Sequence, residues 1–122
     1  MAFTPSTRAA IERELAQAEK ARQAGNEGRA RVCARRAVGL ALRAFWDKDD
    51  LPQSSSVIPL LERLCEDPTL PETLRHTANH FLIRVTPDFR LPIEADLLAE
   101  ARWLITELER LQKESTDENQ TG

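Results

Sequence analysis

The chain has 122 residues and a net charge of −3, and alanine, leucine, arginine and glutamate are its commonest residues. This length allows one domain with its own core and excludes a second, and the abundance of helix-forming residues favours helices over strands. No apolar run approaches the roughly 20 residues that a membrane-spanning helix needs, so the composition excludes an integral membrane protein.

The first predicted helix follows the capping residue Thr4, has Pro5 at its first position and ends near Ala24. Gly25 and Asn26 then end this helix and start the next one, because glycine tolerates a positive φ and asparagine caps a following helix. So short a connection predicts an antiparallel hairpin of two helices. The residues of the first helix that we expect to face inward are Ile11, Leu15 and Ala18.

The second predicted helix, Glu27–Lys48, is apolar over more than half of its circumference. A surface helix has a narrower apolar stripe, so we expect this helix to lie at the centre of the fold. Ala37 and Ala41 are small residues on its apolar side, and they predict a close crossing with another helix. Cys33 lies on the same side, which favours a buried free thiol over a disulfide, a metal ligand or a nucleophile.

The location of the protein is predicted from its first residues and its cysteines. The opening MAFTPSTRAA lacks the apolar segment of a signal peptide. Cys33 and Cys65 are the only two cysteines, and neither belongs to a recognisable disulfide pattern. We therefore expect a cytoplasmic protein.

Two short helices are predicted to follow a polar loop. The first is Val57–Glu66, capped by Ser55 or Ser56. The second is Glu72–Val85, after a break that contains two prolines. The apolar residues that the second should bury are Leu74, Phe81, Leu82 and Val85.

The last predicted helix, Ile93–Lys113, has apolar residues at alternating spacings of three and four, which is a clear amphipathic pattern. Residues 114–122 contain no large apolar residue and are predicted to be a disordered tail after the domain, which spans residues 1–113. No segment shows a strand pattern. The sequence therefore predicts an all-α, up-and-down helical bundle of about five helices. The apolar stripe of the last helix consists of Leu97, Ala101, Leu104, Leu108 and Leu111.

The charges are divided unevenly along the chain. Residues 1–46 have a net charge of +5 and residues 47–122 have a net charge of −8. Arg29, Arg36 and Arg43 recur every seven residues and form a strip on the second helix, and this strip is the candidate site for a nucleotide or nucleic acid. The alternative is that later carboxylates, for example Glu100 or Glu107, neutralise the strip. Arg22 is expected to be a surface residue whose change to glutamine alters stability by at most ~0.5 kcal/mol.

Two segments resemble the HEPN family, the higher-eukaryote and prokaryote nucleotide-binding domain. One is the Ala-rich second helix with its basic residue Arg43, and the other is Arg84-Val85-Thr86-Pro87-Asp88, which is similar to the Arg-aromatic-Pro-Asp segment before the family's last helix. The resemblance covers roughly residues 8–110. It departs from the family at Val85, which replaces the aromatic residue, and at Gly39, where related helices usually have a glutamate.

The resemblance implies a binding module that associates with a nucleotide, a nucleic acid or a partner nucleotidyltransferase, and a toxin–antitoxin type of system as its setting. Many members of the family are ribonucleases with an Arg-x(4–6)-His motif, and Arg75 and His80 match that motif here. Histidine supplies a base near neutral pH and arginine supplies a cation for the phosphorane, so the residue types suit RNA cleavage. A ribonuclease toxin and a non-catalytic structural adaptor bundle both remain alternatives.

Neither a metal site nor a cofactor is predicted. His76 and His80 share a helix face at a spacing of four, but Glu72 is the only acidic residue of the same face.

A homodimer is expected, because Trp46 and part of the apolar stripe on the last helix should stay uncovered in a bundle this short.

Overall fold

A computed structural model of the chain describes residues 3–46, 57–83 and 96–121, with side chains as far as residue 114. These ranges contain five helices and no strand, which confirms the all-α helical bundle. None of the described helices combines the length and the apolar character needed to cross a bilayer. The helices are α1 (Pro5–Gln23), α2 (Glu27–Trp46), α3 (Val57–Glu66), α4 (Glu72–His80) and α5 (Leu97–Thr121).

The hairpin of α1 and α2 forms as its turn residues predict. The Thr4 hydroxyl oxygen accepts a hydrogen bond from the backbone N–H of Thr7 at 3.1 Å and caps α1. Gly25 has a φ of +79°, a conformation that a side chain would strain. The Asn26 side-chain oxygen then accepts from the backbone N–H of Arg29 at 3.1 Å and caps α2.

The predicted central position of α2 is confirmed. This helix packs against α1, α5 and α3, and its small residues Ala34, Ala37 and Ala41 are completely buried. Small side chains let the neighbouring helices approach closely, so these alanines set how near the helices lie. Cys33 is also completely buried and is a free thiol, as predicted.

Gly39 determines how closely α3 approaches α2. A Cβ atom at this position would lie 3.1 Å from Cγ2 of Val57, the first residue of α3. That distance is tighter than an ordinary carbon contact, so a larger side chain would force α3 outward. A glutamate at this position would therefore push α3 away from α2.

α4 ends at His80, five residues before the predicted end at Val85. The backbone N–H groups of Phe81 and Leu82 turn back onto the preceding carbonyls, and Phe81 itself is buried as predicted. The Arg35 guanidinium from α2 then donates to the carbonyl oxygens of Phe81 at 3.1 Å and Ile83 at 3.4 Å. A tertiary contact thus takes the place of further helical hydrogen bonds, and no sequence pattern signals it.

α5 begins at Leu97, after the capping residue Asp96, whose carboxylate accepts a hydrogen bond from the Ala99 N–H at 3.1 Å. The helix then continues to Thr121, through residues that were expected to be disordered. Arg110 pairs with Glu107 and Glu114, each at 2.7 Å, so helical ion pairs continue where the apolar stripe stops. An established helix also extends without a new nucleus, and that favours this continuation.

Several sequence predictions concern residues outside the described ranges. They are the end of the second helix near Lys48, the cap of the third helix at Ser55 or Ser56, the burial of Val85, the start of the last helix at Ile93, and the Arg84–Asp88 segment.

Arg22 connects three helices, whereas the sequence predicted a surface residue with little effect on stability. Its guanidinium lies 2.6 Å from a carboxylate oxygen of Glu27 at the start of α2 and 2.9 Å from one of Asp96 before α5. These contacts raise the pKa of Arg22 and hold the pKa of the Asp96 carboxyl below its usual range. One arginine therefore holds the end of α1 to the starts of α2 and α5.

We expect Arg22→Gln to lower the free energy of unfolding by about 0.5–1 kcal/mol at neutral pH, the usual range for exposed ion pairs. Because the folded-state pKa of Asp96 is lowered, its contribution is present above the unfolded pKa of about 3.9 and is lost as the pH falls through the folded value. Denaturation of both proteins at neutral pH and near pH 2 checks this, since the difference should shrink in acid. Arg13→Gln is the control, and an equal loss in it would contradict the bridging role.

We expect Ala41→Leu to lower the free energy of unfolding by about 1–3 kcal/mol, because the added carbons have no space at the close helix crossing. The same change at the exposed Ala16 of α1 should alter stability by less than ~0.5 kcal/mol. Chemical denaturation of both variants measures the difference. Equal shifts in the two midpoints would show that α2 does not lie in a tightly packed position.

Candidate functional site

A cleft of about 300 Å³ opens where α1, α2 and α3 meet. The second helix contributes most of its wall, while α1 contributes one carboxylate and α3 contributes two apolar side chains. The lining residues are Glu14, Arg36, Gly39, Leu40, Arg43, Val57 and Leu60.

Two of the three arginines proposed from the sequence lie in this cleft. Arg36 is exposed, and its side chain makes no hydrogen bond or ion pair with any residue in the described ranges. Arg43 is partly buried two turns further along α2. Gly39 lies between them and has no side chain to fill the space. Apolar side chains and the two arginines therefore line the same cleft.

Arg29 does not belong to the cleft. It is exposed in the first turn of α2, and its backbone N–H binds the capping oxygen of Asn26. The strip of Arg29, Arg36 and Arg43 therefore divides into two cleft residues and one residue beside the α1–α2 turn. Only the cleft pair is placed to hold one ligand together.

Glu14 brings a carboxylate to the same cleft, and the sequence did not single it out. The residue is partly buried, and its Oε2 atom is buried without a hydrogen-bond partner. Buried acceptors in proteins usually have a donor. This oxygen has none among the described residues, although Arg36 and Arg43 line the same cleft. With Arg36 and Arg43, the formal charge of the cleft is still positive.

The carboxylates proposed to neutralise the arginine strip bind elsewhere. Glu100 lies 2.9 Å from His80, and Glu107 lies 2.7 Å from Arg110 of its own helix. Other arginines do pair with carboxylates on neighbouring helices, as Arg102 does with Glu19 at 3.1 Å. The Arg102–Glu19 pair joins α5 to α1, on a different part of the bundle from the cleft.

The two residues of the ribonuclease motif have different neighbours in the folded chain. His80 faces α5, and both carboxylate oxygens of Glu100 lie 2.9 Å from its Nδ1 atom. Arg75 is partly buried toward α3, where its carbonyl oxygen accepts from the Cys65 thiol at 3.6 Å. Within the described residues no hydrogen bond joins Arg75 to His80.

The surroundings of Arg75 are consistent with a structural role. Its Nε atom is buried and has no hydrogen-bond partner among the described residues. The pKa of the Asp67 carboxyl is lowered by hydrogen bonds from Thr69 and, to a smaller extent, by the charges of Arg63 and Arg75. Thr69 has the largest effect, because its hydroxyl and its backbone N–H both donate to Asp67. Burial raises the pKa of the Cys65 thiol, which keeps that sulfur protonated and a poor nucleophile.

His80 has a partner that the sequence missed. Glu100 lies twenty residues further along the chain, on another helix, and only the packing of α4 against α5 brings the two together. The imidazole of His76 meets that of His80 edge to face, with ring centroids 4.9 Å apart. In the part of the chain that the structure describes, no three histidine, cysteine or acidic side chains converge as a ready-made metal site.

The apolar surface differs from the one expected for a dimer. The stripe of α5 from Leu97 to Leu108 is buried within a single chain. Trp46 packs on the edge of the core, with the Arg63 guanidinium 4.2 Å above its ring. Trp103, by contrast, is 40% exposed. The exposed apolar surface of α5 therefore lies at Trp103 and not along the stripe.

No protein-family model, curated protein or solved structure matches this chain. The geometry of the cleft and of the α4–α5 contact is therefore the basis on which a function can be proposed.

Proposed function

We propose that the protein is a HEPN-like binding module whose cleft between α1, α2 and α3 holds the phosphate of a nucleotide or of a nucleic acid. The observation that carries this proposal is the presence of Arg36 and Arg43 in one cleft of about 300 Å³, with Gly39 leaving space between them. The HEPN resemblance supports the same class of ligand.

Guanidinium groups suit phosphate because their planar donors bind two oxygens at once. Seven residues separate Arg36 from Arg43, so their backbones are about 10 Å apart along the helix axis. Both side chains are long enough to turn toward one ligand between them. The pair therefore suits one phosphate held from two sides or two consecutive phosphates.

The size of the cleft limits the ligand. About 300 Å³ lies at the lower end of the range for small-molecule sites. A single nucleotide, free or within a strand, fits this range better than a dinucleotide cofactor does. The apolar side chains of Leu40 and Leu60, which line the cleft, offer a contact for a base or a sugar.

Glu14 favours a nucleotide over an inorganic anion. A carboxylate repels a bare phosphate, but it accepts hydrogen bonds from the hydroxyl groups of a ribose or the amino groups of a base. Glu14 lines the cleft from α1, whereas both arginines come from α2. A ligand with an anionic end and a donor end matches this arrangement.

The HEPN resemblance extends the proposal to a partner. A nucleotidyltransferase acting with this protein, in a toxin–antitoxin type of system, would be consistent with a module that holds a nucleotide. The partner is a proposal from the resemblance alone.

We expect the double change Arg36→Gln and Arg43→Gln to weaken binding of a labelled single-stranded RNA. Loss of two phosphate contacts should reduce the slope of log affinity against log salt by about 1.4. Filter binding at several salt concentrations measures the slope, and a melting curve of each protein shows whether the fold is retained. The matched control changes Arg102 and Arg110 to glutamine, which removes the same charge from α5.

Equal weakening in the control pair would mean that net charge binds the RNA and the cleft does not. Gel analysis of the RNA from the same samples tests the ribonuclease alternative. RNA cleavage that disappears in His80→Ala would replace the proposed binding function with catalysis.

We expect the protein to be a homodimer, with the exposed Trp103 face of α5 in the interface. Light scattering at micromolar concentration should report about twice the chain mass of 13.8 kDa. Trp103→Ala should shift the protein toward the monomer, whereas Ala16→Ser on the exposed face of α1 should not. A wild-type protein that stays monomeric at high micromolar concentration would rule out the dimer.

A further inference from the structure

The α4–α5 contact brings together two histidines and a carboxylate that the proposed function does not use. His76 and His80 are one turn apart on α4, and their ring centroids are 4.9 Å apart. Glu100 approaches His80 from α5, on the Nδ1 side of the ring. No sequence pattern connects Glu100 to the two histidines.

The carboxylate determines which nitrogen of His80 is available. An ionised carboxylate only accepts hydrogen bonds, so the Nδ1 atom that lies 2.9 Å from both Glu100 oxygens must carry the hydrogen. In the neutral imidazole, Nε2 then keeps its lone pair. Metal-binding histidines in proteins commonly donate their other N–H to a carboxylate in this way.

The two rings are also accessible. His76 is exposed, and the side chain of His80 is 21% exposed, so an ion can reach both from solvent. They lie in the last turns of α4, where the carbonyl end of the helix favours a positive charge. Arg35 binds two carbonyl oxygens just beyond that end.

We propose that His76 and His80 together bind a divalent late first-row transition-metal ion, with Glu100 orienting His80. Two imidazole nitrogens at a spacing of four on a helix match the ligand type that zinc, nickel and copper prefer. Glu100 is engaged with the Nδ1 atom of His80, and no three histidine, cysteine or acidic side chains among the described residues form a ready-made metal site, so water or an external ligand completes the coordination. The ion is thus held in an open site.

Zinc binding to the tag-free protein tests the site, by competition with a chromogenic chelator and by the thermal midpoint with and without zinc. We expect one ion per chain and a zinc-dependent rise in the midpoint, since the ion binds the folded state. His76→Ala should weaken zinc binding at least about tenfold and abolish the rise. His76 is exposed, so this change should leave the fold intact without zinc.

The role of Glu100 is tested separately by Glu100→Gln, which keeps the shape of the side chain and removes its charge. We expect a loss of zinc affinity of about tenfold or more, as for other residues that orient a metal-binding histidine. Glu107→Gln, which changes a carboxylate on α5 that pairs with Arg110, should leave the affinity unchanged. Equal zinc binding by the wild type and His76→Ala would overturn the site, and equal binding by Glu100→Gln would overturn the orienting role.

Discussion

The close packing of small residues on α2 is the constraint on which the rest of the structure depends. Ala34, Ala37 and Ala41 have no exposed surface, and they allow α1 and α5 to approach the same helix from different sides. A central helix with larger side chains would hold those neighbours further apart and lose the dispersion contacts of a dense core. α2 itself supplies the buried Leu42 and Val38, and the helices around it supply most of the other large apolar side chains of the core. They include Leu15 of α1, Leu61 and Leu64 of α3, and Leu104 and Leu108 of α5.

The same packing determines where the charges of α2 can lie. Since most of its circumference is buried, Arg36 and Arg43 share a narrow remaining strip, and α3 approaches that strip beside Gly39. The approach of Val57 to Gly39 turns an open helix face into a cleft with Arg36 and Arg43 on its walls. Two cations in a partly enclosed space interact with an anion more strongly than the same cations on a flat, fully solvated surface. The cleft thus follows from the small side chains of α2.

Polar contacts between helices fix the ends of α1 and α4 and the start of α5. Arg35 ends α4 by binding carbonyl oxygens beyond it, and Arg22 joins the end of α1 to Asp96, the cap of α5. His80 and Glu100 join α4 to α5 in the same way. Each contact combines a charged or titratable side chain with a helix end, where unpaired backbone groups are concentrated.

The sequence by itself determined the helical class, the α1–α2 turn and the central place of α2, because these depend on local signals such as Gly25, Asn26 and the apolar period of one helix. It also located Arg36 and Arg43, which are neighbours on a single helix face. Only the tertiary structure decided that Glu14 joins them, that Arg29 does not, and that Glu100 reaches His80 and not the arginine strip. The physical reason is that side-chain spacing along a helix is regular, whereas contacts between helices depend on how closely and at what angle they pack.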